Sequence, residues 1–213
     1  EEEIVDGIEG FNIETAFSTL QQVVTNCDRM NSIIDHLCTF AREGEAAVTI
    51  EVDMIEVIDS AFTLMAQQFK SRGIVVTRKI SKDLPKIIGN PNRIEQVLIN
   101  LLSNTRDALE GIEDPEVSIT VALAKDKLSC IIADNGSGIP TEIQAKIFDP
   151  FFTTKGIGKG TGLGLSISHG IISEHDGTIS VSESGLGDAK FTILLPTPAT
   201  PQLLLLPTFS KRR

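Results

Sequence analysis

The sequence predicts an α+β chain: a two-layer α/β sandwich, with helices on one face of a mixed sheet, preceded by a long bundle-forming helix. Three observations predict it. An apolar seam recurs every seven residues from Ile13 to Ala41. Across residues 48–195, stretches with helical spacing alternate with stretches of period two. Finally, a glycine-rich loop over residues 156–164 runs straight into an apolar helix.

Composition sets the frame. The 213 residues fit one ordinary domain plus a helical appendage, or two small domains, and 41% hydrophobic residues suffice for a core. Nineteen basic against twenty-nine acidic side chains give a net charge of −10, which argues against a nucleic-acid surface. An anionic ligand would therefore need local help, from a cation and from Lys155 and Lys159. Cys27, Cys38 and Cys130 form no Cys-x-x-Cys or Cys/His pattern, as expected for reduced cysteines of an intracellular protein. No signal peptide is visible, and the apolar run at residues 203–206 is far too short to span a membrane. Any anchor of the full protein is expected outside this chain.

The first helix carries Ile13, Leu20, Cys27, Ile34 and Ala41 on one seam position and Ala16, Val23, Met30 and Leu37 on the other. Phe17, Val24, Ile33, Cys38 and Phe40 widen the stripe to what a four-helix bundle requires. Arg42-Glu43-Gly44 reads as its stop, giving a helical segment over residues 1–44. Residues 48–52 alternate like a strand, residues 54–70 have helical spacing, and Ser71-Arg72-Gly73 turns into a strand at 74–80. A connector at 83–91 ends in Pro91, well placed to start a helix over 92–109. Strands are expected at 117–122 and 128–133 around a Lys125-Asp126 turn, and a short helix at 141–147. After the loop come a helix at 163–175 and strands at 178–182 and 190–195. These elements make one domain over residues 45–197, followed by a flexible tail at 198–213 with no internal repeat anywhere.

The chemistry concentrates in three places. A glycine-rich loop entering a helix can fold backbone N–H groups around phosphates. Here it is neither of the two commonest kinds. Gly158-Lys159 is followed by Gly160 where a Walker loop needs Ser or Thr, and no Gly-x-Gly-x-x-Gly can be counted from Gly156, Gly158, Gly160 or Gly162. On the helix at 92–109, Ile94, Val97, Leu98, Leu101 and Leu102 form the core stripe, while Gln96, Asn100, Asn104 and Asp107 share another face. Such a polar face can simply be solvated; beside a phosphate loop its hard oxygens suit Mg²⁺. Third, Asp134 ends a strand and is followed by Asn135-Gly136-Ser137-Gly138. That reads as a plain turn, or as a place where glycines let the backbone approach a flat ligand.

In order and spacing, the blocks at residues 92–109, 134–140 and 147–165 closely resemble the N box, G1 box and F/G2 boxes of the GHKL (Bergerat-type) ATP-binding fold, in the variant found in sensor histidine kinases of two-component systems. The resemblance covers roughly residues 47–196, and residues 29–42 resemble the second helix of the kinase dimerisation domain. It implies that Asn104 ligates Mg²⁺ with Asn100 in support, and that Asp134 accepts the exocyclic amine of adenine. It also implies that Asp107, Gly136, Gly138, Lys155, Gly158, Gly160, Thr161, Gly162, Leu163 and Gly164 complete the ATP site, with Phe148, Phe151 and Phe152 burying their rings to anchor the loop.

The resemblance further implies transfer of the γ-phosphoryl group of Mg-ATP to a histidine, relay to a response regulator, homodimerisation of the full protein and a cytoplasmic location. Gyrase-, MutL- and Hsp90-type relatives carry a glutamate where this chain has Asn100, and an amide is no general base. Glu95 lies five residues earlier, about 140° around the helix. A hydrolytic ATPase of that type is thus the weaker alternative, alongside a nucleotide-responsive interaction module that transfers nothing.

Two departures stand out. Asp188 occupies a place where the family often has glycine. More importantly, none of the three histidines, His36, His169 and His175, sits in a phosphoacceptor pattern, so all read as structural or solvated and no catalytic residue is expected in this chain. The acceptor is expected on a helix of the same kinase outside this segment.

Overall fold

Period-two alternation in the later strands becomes a sheet with one buried face. Val117, Ile119, Val121, Leu128, Cys130, Ile132, Phe191, Ile193 and Leu195 are all buried, while Ser118, Thr120, Ala122, Ile131, Thr192 and Leu194 on the other face are only half-buried. The computed structural model describes residues 15–20, 22–23, 49–156, 160–183 and 189–198. They fall into two units: one comprises Ala47–Phe148 and Leu165–Arg213, the other Glu1–Ala46 and Asp149–Gly164, as far as each is described.

In the larger unit the elements run β1 (Ile50–Val52), α1 (Met54–Ser71), β2 (Val75–Ile80), β3 (Ile87–Gly89), α2 (Pro91–Ala108), β4 (Glu116–Ala124), β5 (Lys127–Asp134), α3 (Thr141–Gln144), α4 (Gly164–Glu174), β6 (Thr178–Glu183) and β7 (Ala189–Pro196). Five strands form the main sheet in the order β2-β4-β5-β7-β6, with β2 parallel to β4 and the other neighbours antiparallel. The sheet is therefore mixed, as the sequence predicts.

The helices have local causes. Asp53 caps α1 by accepting from the Ile55 N–H at 2.8 Å, and Asn90 caps α2 by accepting from the Asn92 and Arg93 N–H groups. Each such cap contributes about 1 kcal/mol. Pro91 opens α2, where its missing N–H costs nothing. The two helices pack together through Met54, Val57, Ile58, Ala61, Met65 and Phe69 on α1 and Ile94, Val97, Leu98, Leu101 and Leu102 on α2, all buried. At the sheet edge, Arg78 of β2 pairs with Asp59 of α1 at 2.6 Å and lies over the Phe62 ring.

Two features go beyond the sequence reading. The connector before α2 contains β3, which pairs antiparallel with β1 in a small separate sheet. Three residues beside a proline are too few to show alternation. Gly89, at the end of β3, is required by its neighbour: a Cβ there would lie 2.5 Å from the His175 ring. His175 itself is a structural clamp. Its Nδ1–H donates to the Ile171 carbonyl at 2.7 Å, and its Nε2 accepts from the Asn90 N–H at 3.0 Å.

In the smaller unit, residues 15–20 and 22–23 are helical, with Phe17, Leu20 and Val23 exposed. Most of the heptad seam, His36, the 198–213 tail beyond Pro198, and Asp188 lie outside the described residues. No helix among the described residues is long and apolar enough to cross a membrane.

Candidate functional site

β5 and α2 together build the core of the candidate site. β5 runs through the buried centre of the sheet and ends at Asp134, which is 4% exposed. A buried carboxylate needs hydrogen-bond donors, and two are at hand. The Thr105 hydroxyl on α2 donates to Oδ2 at 3.1 Å, and the Gly136 N–H donates to Oδ1 at 3.1 Å. Gly136 must be glycine for a packing reason, since a Cβ there would lie 2.7 Å from the Ala108 carbonyl oxygen and 2.8 Å from Asp134 Oδ1. Gly138 adopts φ +69°, a left-handed turn that glycine reaches without strain. Asn135 stays out of the site: its side chain closes the loop before β4, accepting from the Glu116 N–H and donating to the Asp114 carbonyl.

The polar face of α2 holds Asn100, Asn104 and Asp107, all half-buried. The Asn100 amide nitrogen donates to the Ser168 hydroxyl on α4 at 2.9 Å, and Ser168 is 1% exposed. Asp107 is engaged by its chain neighbour Arg106 at 2.6 Å. Glu95 turns elsewhere, accepting from Ser60 on α1. The Glu95 carboxylate is thus committed to α1 and not to the Asn100 face of α2. No cluster of three His, Cys, Asp or Glu side chains able to hold a metal occurs among the described residues. Two clefts of about 310 and 210 Å³ open elsewhere in this unit, one beside Gly89, Arg93 and His175 and the other beside Asp53, Ser60 and Glu95; none of the expected ATP-site residues lines either.

The glycine-rich loop, residues 149–164, belongs to the smaller unit. A turn at its start, with the Phe152 N–H donating to the Asp149 carbonyl, carries Phe151 at φ +67°. Gly162 has φ +69°, and a Cβ there would lie 2.4 Å from the Phe151 carbonyl carbon, so only glycine fits. At Gly160 a Cβ would meet Thr153 Oγ1 at 2.9 Å and the Lys155 side chain at 3.3 Å. The Lys155 N–H donates to Thr153 Oγ1, and the Leu163 N–H reaches Thr161 Oγ1 at 3.4 Å. Gly164 opens α4. Gly158 and Lys159 lie outside the described residues.

The aromatic anchors divide. Phe148 is half-buried beside the His169 ring at 5.7 Å, and Phe152 is half-buried as well. Phe151 departs from the expectation at 74% exposure, because a left-handed backbone in a tight turn directs its position and its main chain makes the close contact.

Two residues that sequence reasoning passed over belong to the site. Thr105 follows Leu98, Leu101 and Leu102 on the apolar stripe, and Ser168 lies between Ile167 and Ile171. A hydroxyl on an otherwise apolar stripe was the available signal.

Comparison with known proteins agrees with this geometry. Residues 89–199 match the family of histidine kinase-, DNA gyrase B- and HSP90-like ATPases (HATPase_c). The chain is 35% identical over 181 residues to the C4-dicarboxylate transport sensor protein DctB of Rhizobium meliloti (strain 1021), covering 85% of this chain and 28% of that protein. In structure it is similar to the catalytic domain of histidine kinase ThkA, with TM-score 0.62 and 32% identity over 70% of this chain and 97% of that one. It is also similar to full-length ShkA in complex with AMPPNP, with TM-score 0.70 and 27% identity over 86% of this chain and 40% of that one.

Proposed function

The chain belongs to the family of histidine kinase-, DNA gyrase B- and HSP90-like ATPases, and within it we propose that it binds Mg-ATP and supplies the γ-phosphoryl group to a histidine on another segment of a sensor kinase. The chain spans 28% of the sensor protein it matches, so the acceptor helix and the response regulator that completes the relay belong to the proposal. The buried Asp134 carboxylate, hydrogen-bonded to the same helix that carries Asn100 and Asn104, is the observation that carries it.

Each residue then has a task. Asp134 accepts a hydrogen bond from the 6-amino group of adenine, with its carboxylate oriented by the Thr105 hydroxyl and the Gly136 N–H. Asn104, with Asn100 in support, offers neutral amide oxygens to Mg²⁺. With the Asn100 nitrogen engaged by Ser168, its Oδ1 is the end that can meet a hard cation. Mg²⁺ takes few protein oxygens and relies on phosphates and water for the rest of its shell. When bound, the ion neutralises charge on the phosphates and orients them. Asp107 extends the same face, while Lys155 and the amides of Gly158, Gly160, Thr161, Gly162, Leu163 and Gly164 receive the phosphates.

Transfer then needs only positioning and charge neutralisation from this chain. Glu95 is tied to Ser60, and the side chain at position 100 is an amide, which is no general base for hydrolysis. The helix of residues 1–44 dimerises the full protein in the cytoplasm, and residues 45–197 form the catalytic domain. Calorimetric titration with AMPPNP, with and without Mg²⁺ and against GTP, tests this function. Micromolar, adenine-selective, Mg²⁺-dependent binding is expected; no binding at millimolar nucleotide overturns it.

A further inference from the structure

Thr105 is 1% exposed and sits on the core stripe of α2, yet it is polar. A threonine inside a helix usually returns its hydroxyl to a carbonyl one turn earlier. Here the hydroxyl reaches across to β5 and meets Asp134 Oδ2 at 3.1 Å. An ionised carboxylate can only accept, so the Thr105 proton is committed to it. Thr105 Oγ1 then keeps only lone pairs for any further partner. Asp134 and Thr105 thus form a wall made entirely of acceptors, held between a strand end and a helix.

From this geometry we propose that Thr105 is a specificity-determining positioning residue, which fixes the Asp134 carboxylate and makes the wall select a 6-amino purine over a 6-oxo purine. The inference rests on Asp134 being the adenine-binding residue. A 6-amino group brings donors to a wall of acceptors, whereas a 6-oxo group brings one more acceptor. Without the hydroxyl, the carboxylate loses the bond that ties it to α2. Its Oδ2 is then held less firmly, although the Gly136 N–H still meets Oδ1, and it can shift or accept a proton and become a donor that tolerates the 6-oxo group.

The test measures ATP and inosine triphosphate affinities by calorimetry for the wild-type chain and for Thr105→Val, Thr105→Ser and Asp134→Asn, with thermal melts alongside. Thr105→Val keeps the shape and removes the hydroxyl. It is expected to weaken ATP about tenfold, the worth of one hydrogen bond to a charged group, while inosine triphosphate changes little, so the selectivity ratio collapses. Thr105→Ser restores the hydroxyl and is expected to keep the ratio within about twofold of wild type. A Thr105→Val protein that folds and keeps the wild-type ratio overturns the inference, as does one that weakens both nucleotides equally. Should Thr105→Val fail to fold, Thr105→Ala is judged by the same ratio. Asp134→Asn separates the two layers. If it leaves ATP affinity and selectivity intact, the site reading itself fails. If it abolishes both while Thr105→Val changes neither, only the role of Thr105 fails.

Discussion

Asp134 is 4% exposed, and its two carboxylate oxygens accept from two different elements, whereas Phe151 in the glycine-rich loop is 74% exposed and makes its close contact through the main chain. The first region is shaped by side chains that the core has already fixed. The second is shaped by backbone geometry, with Phe151 and Gly162 both at positive φ and their main chains in contact. The difference separates two tasks. In the proposed reading, recognition of a base by one buried group is finished when the domain folds. A loop whose form depends on a few main-chain dihedrals is the part that a single added methyl group can redirect.

Asp134→Asn attacks the first region directly. It replaces an acceptor-only group by an amide whose nitrogen faces a donor, and is expected to lower ATP affinity on the order of 10–100-fold and the melting temperature by a few degrees. Calorimetry and a melt check both halves. Gly162→Ala attacks the second. Its Cβ would lie 2.4 Å from the Phe151 carbonyl carbon at φ +69°, so the loop must move at a cost of about 1–3 kcal/mol. ATP affinity should fall about tenfold while adenosine affinity stays at the wild-type level. Equal loss for both ligands would mean that the two regions are not separate in function.

Ser168→Ala probes the link between α2 and α4. Removing the hydroxyl takes away the partner of the Asn100 amide, and about 1 kcal/mol of stability should go with it, a few degrees in the melt of a domain this size. Asn100 would then be loosened without being replaced, so the Mg²⁺ dependence of ATP binding should weaken; an unchanged Mg²⁺ titration would remove Asn100 from the metal's surroundings. The smallest effect belongs to Cys130, on the core face of β5. Burial pushes its thiol from 9.0 up to about 12. The unfolded chain therefore loses this proton first. The stability involved is fully present below about pH 9 and is lost as pH rises towards 12. A Cys130→Val variant should show a flatter alkaline stability curve in denaturant titrations.

Much of this could be read from residue order because the local signals agree with the fold. Pro91 starts α2 and Asn90 caps it, while the alternation at residues 117–122 and 190–195 gives the middles of β4 and β7, each of which runs on by one or two residues at either end. Asn100, Asn104 and Asp107 share one face of α2 because helical spacing alone puts them there. What could not be read depends on partners distant in sequence. The parallel pairing of β2 with β4 joins strands separated in the chain by β3 and α2, and the residues of neither strand state its direction. The Thr105–Asp134 and Asn100–Ser168 bonds join residues 29 and 68 positions apart, and a hydroxyl on an apolar stripe signals a partner without saying which. The ring of Phe151 looked destined for burial by its chemistry, and a turn geometry overruled it.

β5 ends at Asp134 and the next strand of the same sheet, β6, begins at Thr178, so for the sheet the chain between them is a single excursion. The entropy lost in closing such an excursion grows with the logarithm of its length, and doubling the length adds only about 0.6 kcal/mol. Residues inserted into or deleted from the glycine-rich loop therefore cost the sheet almost nothing. The length of that loop is a variable that mutation can explore while the strands around it keep their register.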